Sequence, residues 1–172
     1  NVVYVNGTLT VGKATPVVIW ANPAGISYGT PLSATQLDAT SVTPGSFVYT
    51  PAAGAVLPVG TDTLSVTFTP TDTTTYTSVT QTATITVGQA TLTVTAANAS
   101  RAFGAANPVF TATAAGAVNG DTFTLTASST ATASSPVGTY AIVPAATGAN
   151  LASYNVVYVN GTLTVGKATP VV

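Results

Sequence analysis

The sequence predicts an all-β protein: two small tandem β-domains set in a repeat array of period 154. Three observations carry that expectation. Residues 1–18, NVVYVNGTLTVGKATPVV, return without a change at 155–172. A shift of 78 residues lays PVGTDTLSVTFTPTDTTTYTSVTQTATITVGQAT (58–91) on PVGTYAIVPAATGANLASYNVVYVNGTLTVGKAT (136–169) without a gap, with Pro58 on Pro136, Gly60 on Gly138, Tyr76 on Tyr154 and Gly88 on Gly166. Runs rich in β-branched residues and bounded by Gly and Pro fill the chain, while helix signals are nearly absent.

Packing constraints do not reproduce eighteen consecutive side chains, so the chain reads as a window on a longer tandem array with two related units of about 77 residues per period. Neither end of the window is then expected to be a natural terminus. In the first unit TPVVIWA (15–21), SFVYTP (46–51), DTLSVTFTP (62–70) and TSVTQTATITV (77–87) read as strands; in the second, TLTVTAA (91–97), PVFTATAA (108–115), DTFTLTA (121–127), GTYAIVPA (138–145) and YNVVYVNGTLTV (154–165) do. Asn160-Gly161 is by itself a hairpin signal. Its counterpart in the first unit, Thr82-Ala83, has no turn chemistry, so 155–165 is expected to be one final strand with a bulge or kink at Asn-Gly.

Charge excludes several function classes. Lys13, Arg101 and Lys167 oppose Asp38, Asp62, Asp72 and Asp121, with no Glu and no His, so charged residues make up only 4% of the chain. No basic cluster exists to neutralise phosphates, and nucleic acid is not an expected partner. Cysteine and methionine are absent, which suits an oxidising exterior and leaves stability to packing and sheet hydrogen bonds. No secretory leader and no uninterrupted 18-residue apolar run is legible, so membrane insertion of this segment is not expected.

Residues 13–88 resemble the bacterial immunoglobulin-like repeats of large surface proteins, through the Tyr-Gly-Thr-Pro turn at 28–31, GSFVYTP (45–51) and the spacing from Pro-Val-Gly-Thr (58–61) to Tyr76. Residues 89–166 resemble the MBG-type domain of the YGX kind, through FGAANPVFTATAAG (103–116), NGDTF (119–123), PVGTYAI (136–142) and YNVVYVNGTLTV (154–165), with Phe103 where a Tyr is usual. The resemblance implies an extracellular or cell-surface β-spacer without catalytic residues. On it, residues 1–12 are the closing strand of a preceding MBG-type unit and 167–172 the first strand of the next immunoglobulin-like unit. An orphan closing strand has unpaired backbone groups, so it is expected to pair with the preceding copy or with another chain.

Reactive constellations are few. General acid–base work draws on convergent titratable groups, and the supply here is four Asp, three basic residues and seven Tyr; no catalytic, cofactor or metal site is expected. Asp62 and Asp72 invite a facing pair across a hairpin, though turn and strand-end roles are the plainer reading. TPTDTTTY (69–76) offers one carboxylate, too few for calcium. Lys13 and Lys167, each after Val-Gly, invite an isopeptide cross-link, but junction lysines held in solvent are expected. Asn6, Asn98 and Asn160 lie in Asn-x-Thr or Asn-x-Ser triplets that matter only in a glycosylating source. Thr-x-Thr ladders raise ice binding, with the outward face of half-buried strands the blander alternative. Trp20 with Tyr28 raises sugar stacking, against which Trp20 is expected in the core.

The expected function is structural: a stalk, or the shaft of a self-assembling filament, partnered by neighbouring repeats and by other copies in a fibre or layer, because a nearly uncharged surface lacks the usual guard against association. The alternative is an adhesin module binding a carbohydrate or protein through its loops.

Overall fold

A computed structural model describes Val3 and residues 5–168. Within it one compact unit runs to Ile26 and resumes over Thr30–Val87; the other combines Ser27–Gly29 with the chain from Gly88 onward. The fold is all-β, with one 3-10 turn at Leu151–Ser153 as its only helical element among the described residues.

The strands up to Gly88 are β1 (Val18–Ile19), β2 (Ile26–Ser27), β3 (Thr40–Ser41), β4 (Gly45–Thr50), β5 (Gly60–Pro70) and β6 (Val79–Gly88). They form a two-stranded sheet, β1-β3, and a four-stranded sheet in the order β2-β6-β5-β4. Period-two alternation sets the faces of the long β5–β6 hairpin. Leu64, Val66 and Phe68 pair with Ala83, Gln81 and Val79 on the inner face, whereas Thr61, Thr63 and Thr67 pair with Thr86, Thr84 and Thr80 in solvent. The strand expected over 15–21 shrinks to β1, with a separate parallel bridge from Ala14 to Tyr76 just before it; between them Pro16 has no N–H to give a ladder.

The second unit holds β7 (Ala90–Ala96), β8 (Ala99–Ala102), β9 (Ala112–Ala115), β10 (Thr124–Ser128), β11 (Gly138–Thr147), β12 (Tyr154–Val159) and β13 (Gly161–Gly166). Their sheets run β12-β7-β9 and β10-β11-β13-β8. Leu92 and Val94 of β7 pack with Ala146 of β11 and Tyr154 of β12; Ile142, Leu163 and Val165 pack with Ala96 and Ala131. The segment expected as a strand over 108–115 pairs only from Ala112, after Pro108 and a half-buried Phe110.

The Asn160-Gly161 hairpin does not form. β12 pairs parallel with β7, whereas β13 pairs parallel with β8 and antiparallel with β11. The expected single strand is therefore interrupted at Asn160, its halves passing from one sheet to the other. The first strand of the unit makes the same transfer between β7 and β8. Where the two breaks meet, a Cβ on Gly161 would lie 2.5 Å from the Ala97 carbonyl oxygen, so the backbones approach only because glycine stands there. Asn98 fastens the crossing, its Oδ1 accepting the Thr162 N–H at 2.7 Å. Asn22 Oδ1 accepts the Thr84 N–H at 2.9 Å, and Thr84 lies under Thr162 in the 78-residue alignment.

Gly161→Ala is expected to destabilise the second unit by about 1–3 kcal/mol, the usual cost of forcing atoms into a filled site. A lowered urea midpoint with an unchanged m-value is the expected result.

Candidate functional site

The densest polar cluster gathers on Asp121. Tyr154, at the start of β12, donates its hydroxyl to Asp121 Oδ2 at 2.7 Å and accepts the Val118 N–H at 3.0 Å. Tyr28 donates to the same Oδ2 at 3.2 Å, and Asn150 Nδ2 donates to Oδ1. The Tyr154 bond, then that from Asn150 and last that from Tyr28 hold the Asp121 carboxyl below the ordinary range against partial desolvation. Burial first, and the hydrogen bond to Asp121 second, push the Tyr154 hydroxyl above its usual value. A phenol held neutral in this way is a donor and not an activated nucleophile.

Aromatic contacts complete the cluster. Tyr154 meets Tyr28 edge-on at 5.6 Å between ring centroids and Phe123 at 5.2 Å. Tyr28 stands in a tight turn, and its own N–H donates to the Gly88 carbonyl at 2.8 Å. Its neighbour Gly29 has φ of 91° and sits so close to Val118 that a Cβ would be 2.5 Å from Cγ2.

A second network surrounds Arg101, which is only 9% exposed. Its Nε donates to Asn107 Oδ1 at 2.7 Å, Nη1 to the Ala102 carbonyl and Nη2 to that of Thr132. Asn107 Nδ2 continues to the Ala131 carbonyl at 2.6 Å, and the Gly104 N–H reaches the Ala133 carbonyl. The Phe103-Gly104 turn is thereby tied at both flanks to residues 131–133. Phe103 itself is 47% exposed, and its N–H donates to Gly166 at 2.8 Å.

The first unit carries two apolar hollows. One, of about 340 Å³, runs along edge strand β4 between Leu37, Phe47, Val48 and Tyr49. The other, of about 280 Å³, is bounded by Thr43, Pro44, Thr71, Asp72 and Tyr76 and is almost wholly carbon-lined. These last five positions stand 78 residues before Asp121, Thr122, Ala149, Asn150 and Tyr154. Cross-strand register supports the equivalence: Phe47 faces Phe68 as Leu125 faces Ala146.

The residues singled out in the sequence fall as follows. Asp62 and Asp72 do not face each other: Asp62 is near the start of β5 opposite Ile85, and Asp72 is in the turn beyond its far end, with the strand from Asp62 to Pro70, roughly 26 Å at strand rise, between them. Asp62 Oδ2 is buried without a partner. Asp72 Oδ1 accepts the Thr74 hydroxyl, the Thr74 N–H and the Thr75 N–H, which hold its carboxyl well below the ordinary range. Lys13 is exposed, with Nζ on the Thr73 carbonyl at 2.6 Å, and Lys167 is exposed. Asn6, Asn98 and Asn160 are exposed. Trp20 is in the core of the first unit, donating to the Gln36 carbonyl and edge-on to Tyr49; Tyr28 belongs to the other unit. Among the described residues no group of three or more His, Cys, Asp or Glu could hold a metal ion, and no helix is long and apolar enough to cross a membrane.

In the sequence Asp121 and Arg101 stand out only as charges. The available signals were the alignment of Tyr154 on Tyr76 and the presence of a single Arg in a chain nearly free of charge.

Residues 92–164 match the family model of the MBG domain (YGX type), from the middle of β7 into β13. No curated protein matches the chain. Among solved structures, the fibronectin(III)-like modules of Clostridium thermocellum CbhA are similar at 15% identity over 88% of this chain and 95% of that one, with a TM-score of 0.27.

Asp121 has a depressed carboxyl, so the stability it contributes is complete above the ordinary aspartate value of 3.8 and is lost as pH falls through the lower folded-state value. Asp121→Asn is expected to lower the urea midpoint at neutral pH and to converge on the wild type as the solution is acidified.

Proposed function

We propose that the chain is a structural repeat of an extracellular bacterial protein, an immunoglobulin-like unit at 13–88 alternating with an MBG-type unit at 89–166, and that such repeats build a stalk or the shaft of a self-assembling filament. The observation that carries this reading is the parallel closure of the units. Ala90–Thr95 run parallel to Tyr154–Val159, and Ala14 bridges Tyr76 in the same sense. First and last strands that run the same way put a unit's entry and exit at opposite ends, which suits a chain handed from unit to unit. Only Gln89 separates β6 from β7, too short a connection to act as a flexible linker.

Two further observations support the array. Val3 and residues 5–12 are exposed and form no strand here, while the same letters at 157 and 159–166 belong to β12, the break and β13; in an array residues 1–12 would close the preceding unit, and 167–172 would open the next. The MBG match over 92–164 fits a bacterial surface module. Exposed threonine faces with few charges favour contact between copies. On this reading the chain has no catalytic residue and no cofactor.

A second reading, an adhesin module, rests on the hollow along β4, where Phe47 and Tyr49 are half-buried and Val48 is 63% exposed. An extended peptide or a sugar face would find both apolar contact and free backbone groups at that edge.

Electron microscopy of a protein carrying three full 154-residue repeats tests the first reading. Thin rods or ordered fibres are expected. Beads that move freely about their joints would remove it, and saturable binding of a glycan or peptide abolished by Val48→Arg would favour the adhesin.

A further inference from the structure

The two units carry the same socket, and only one of them is filled. In the second unit Tyr28 lies against Tyr154 with its hydroxyl on Asp121, and Gly29 lies against Val118. In the first unit the equivalent residues, Tyr76 and Thr43 with Pro44, Thr71 and Asp72, surround the carbon-lined cavity of about 280 Å³. The knob is also duplicated. The Tyr28 N–H donates to Gly88 at 2.8 Å and the Phe103 N–H to Gly166 at 2.8 Å, and each aromatic is followed by a glycine with positive φ, 91° at Gly29 and 84° at Gly104.

We propose that the Phe103-Gly104 turn of one copy inserts into the Thr43–Tyr76 cavity of the first unit of the copy that follows it. The proposal rests on the tandem-array reading and names the contact that joins successive copies. Three features fit knob to socket. Gly166 is followed by Lys167-Ala168, which repeats Lys13-Ala14; Ala14 bridges Tyr76 as Ala90 pairs with Tyr154, so the socket stands in the same register to the turn in both cases. The chemistry matches in each socket. Tyr28, which has a hydroxyl, meets the acceptor Asp121, whereas Phe103, which has none, would meet a cavity in which Thr43 replaces that aspartate and the carboxylate of Asp72, at the place of Asn150, accepts from Thr74 and Thr75. Phe103 is also held ready: Arg101 and Asn107 tie its turn to residues 131–133, so little conformational entropy remains to be lost on docking. A half-exposed aromatic on a braced turn and an unfilled apolar cavity are each costly in water, and one contact removes both.

The test uses a two-copy chain, residues 1–172 continued by 19–172, so that 155–172 serve as residues 1–18 of the second copy. With p-benzoylphenylalanine replacing Phe103 of the first copy, illumination is expected to give intrachain adducts on residues 42–44 or 71–76 of the second copy. Adducts elsewhere, or none, overturn the docking. Phe103→Ala in the first copy supplies a second measurement: the urea midpoint reported by Trp20 should fall in the two-copy chain and stay unchanged in the 172-residue chain. An equal shift in both chains, or no shift in either, also overturns it. Electron microscopy of the three-repeat protein reports separately on the array, since rods or fibres without specific adducts would leave the stalk standing and remove only this contact.

Discussion

Parallel pairing between the opening and closing segments of a unit is the constraint on which the rest depends. Consecutive antiparallel strands return a chain to where it began, and β5 with β6 does so through one turn. Parallel partners need the whole intervening chain as their crossover. In the second unit everything from β8 to the 3-10 turn at Leu151–Ser153 lies between β7 and β12. That long excursion supplies β8, β10 and β11 of the second sheet, β9 of the first, and the loops that carry Asp121, Asn107 and Phe103. It also leaves the chain travelling in its entry direction.

Such a closure carries a steric demand at the point where both end strands change sheets. Gly161 meets it by omission of a side chain, and Asn98 meets the hydrogen-bond deficit left by the broken ladder. In the first unit Asn22 makes the corresponding bond to Thr84, but β6 continues unbroken and the residue aligned with Gly161 is Ala83, buried in the core. The two aligned segments thus close their units differently, β6 as a continuous strand with Ala83 in the core and β12 and β13 as two strands with Gly161 at the break.

With so few charges, polar work falls to neutral groups. Arg101 is surrounded by carbonyls and an amide in place of a carboxylate, and Asp121 by phenols and an amide in place of a cation. Each ion is satisfied by oriented dipoles in a partly dry setting where hydrogen bonds to a charge are strong. Both networks fix loops, one at Phe103-Gly104 and the other at Val118–Asp121. Outward threonines on β5 and β6 keep the sheet wet without charge, since a threonine face offers hydroxyls to water while the branched Cβ suits a strand.

Much of the strand content was readable because alternation of Thr with Val, Ile and Leu has a period of two, which only a half-buried strand explains; β5, β6, β7 and β11 fall close to their expected limits. Short strands such as β2, β3 and β8 were not readable, because two to four residues hold too little periodicity. The β-class, the duplication of the unit and the eighteen-residue return are legible in the residues alone, being matters of local preference or of literal repetition. That Asn160-Gly161 is a passage between sheets, that Arg101 and Asp121 are braces, and that Tyr28 lies against Tyr154 emerge only in the folded chain. Those outcomes depend on which distant backbones approach to within a hydrogen bond, and no spacing along the chain encodes that distance.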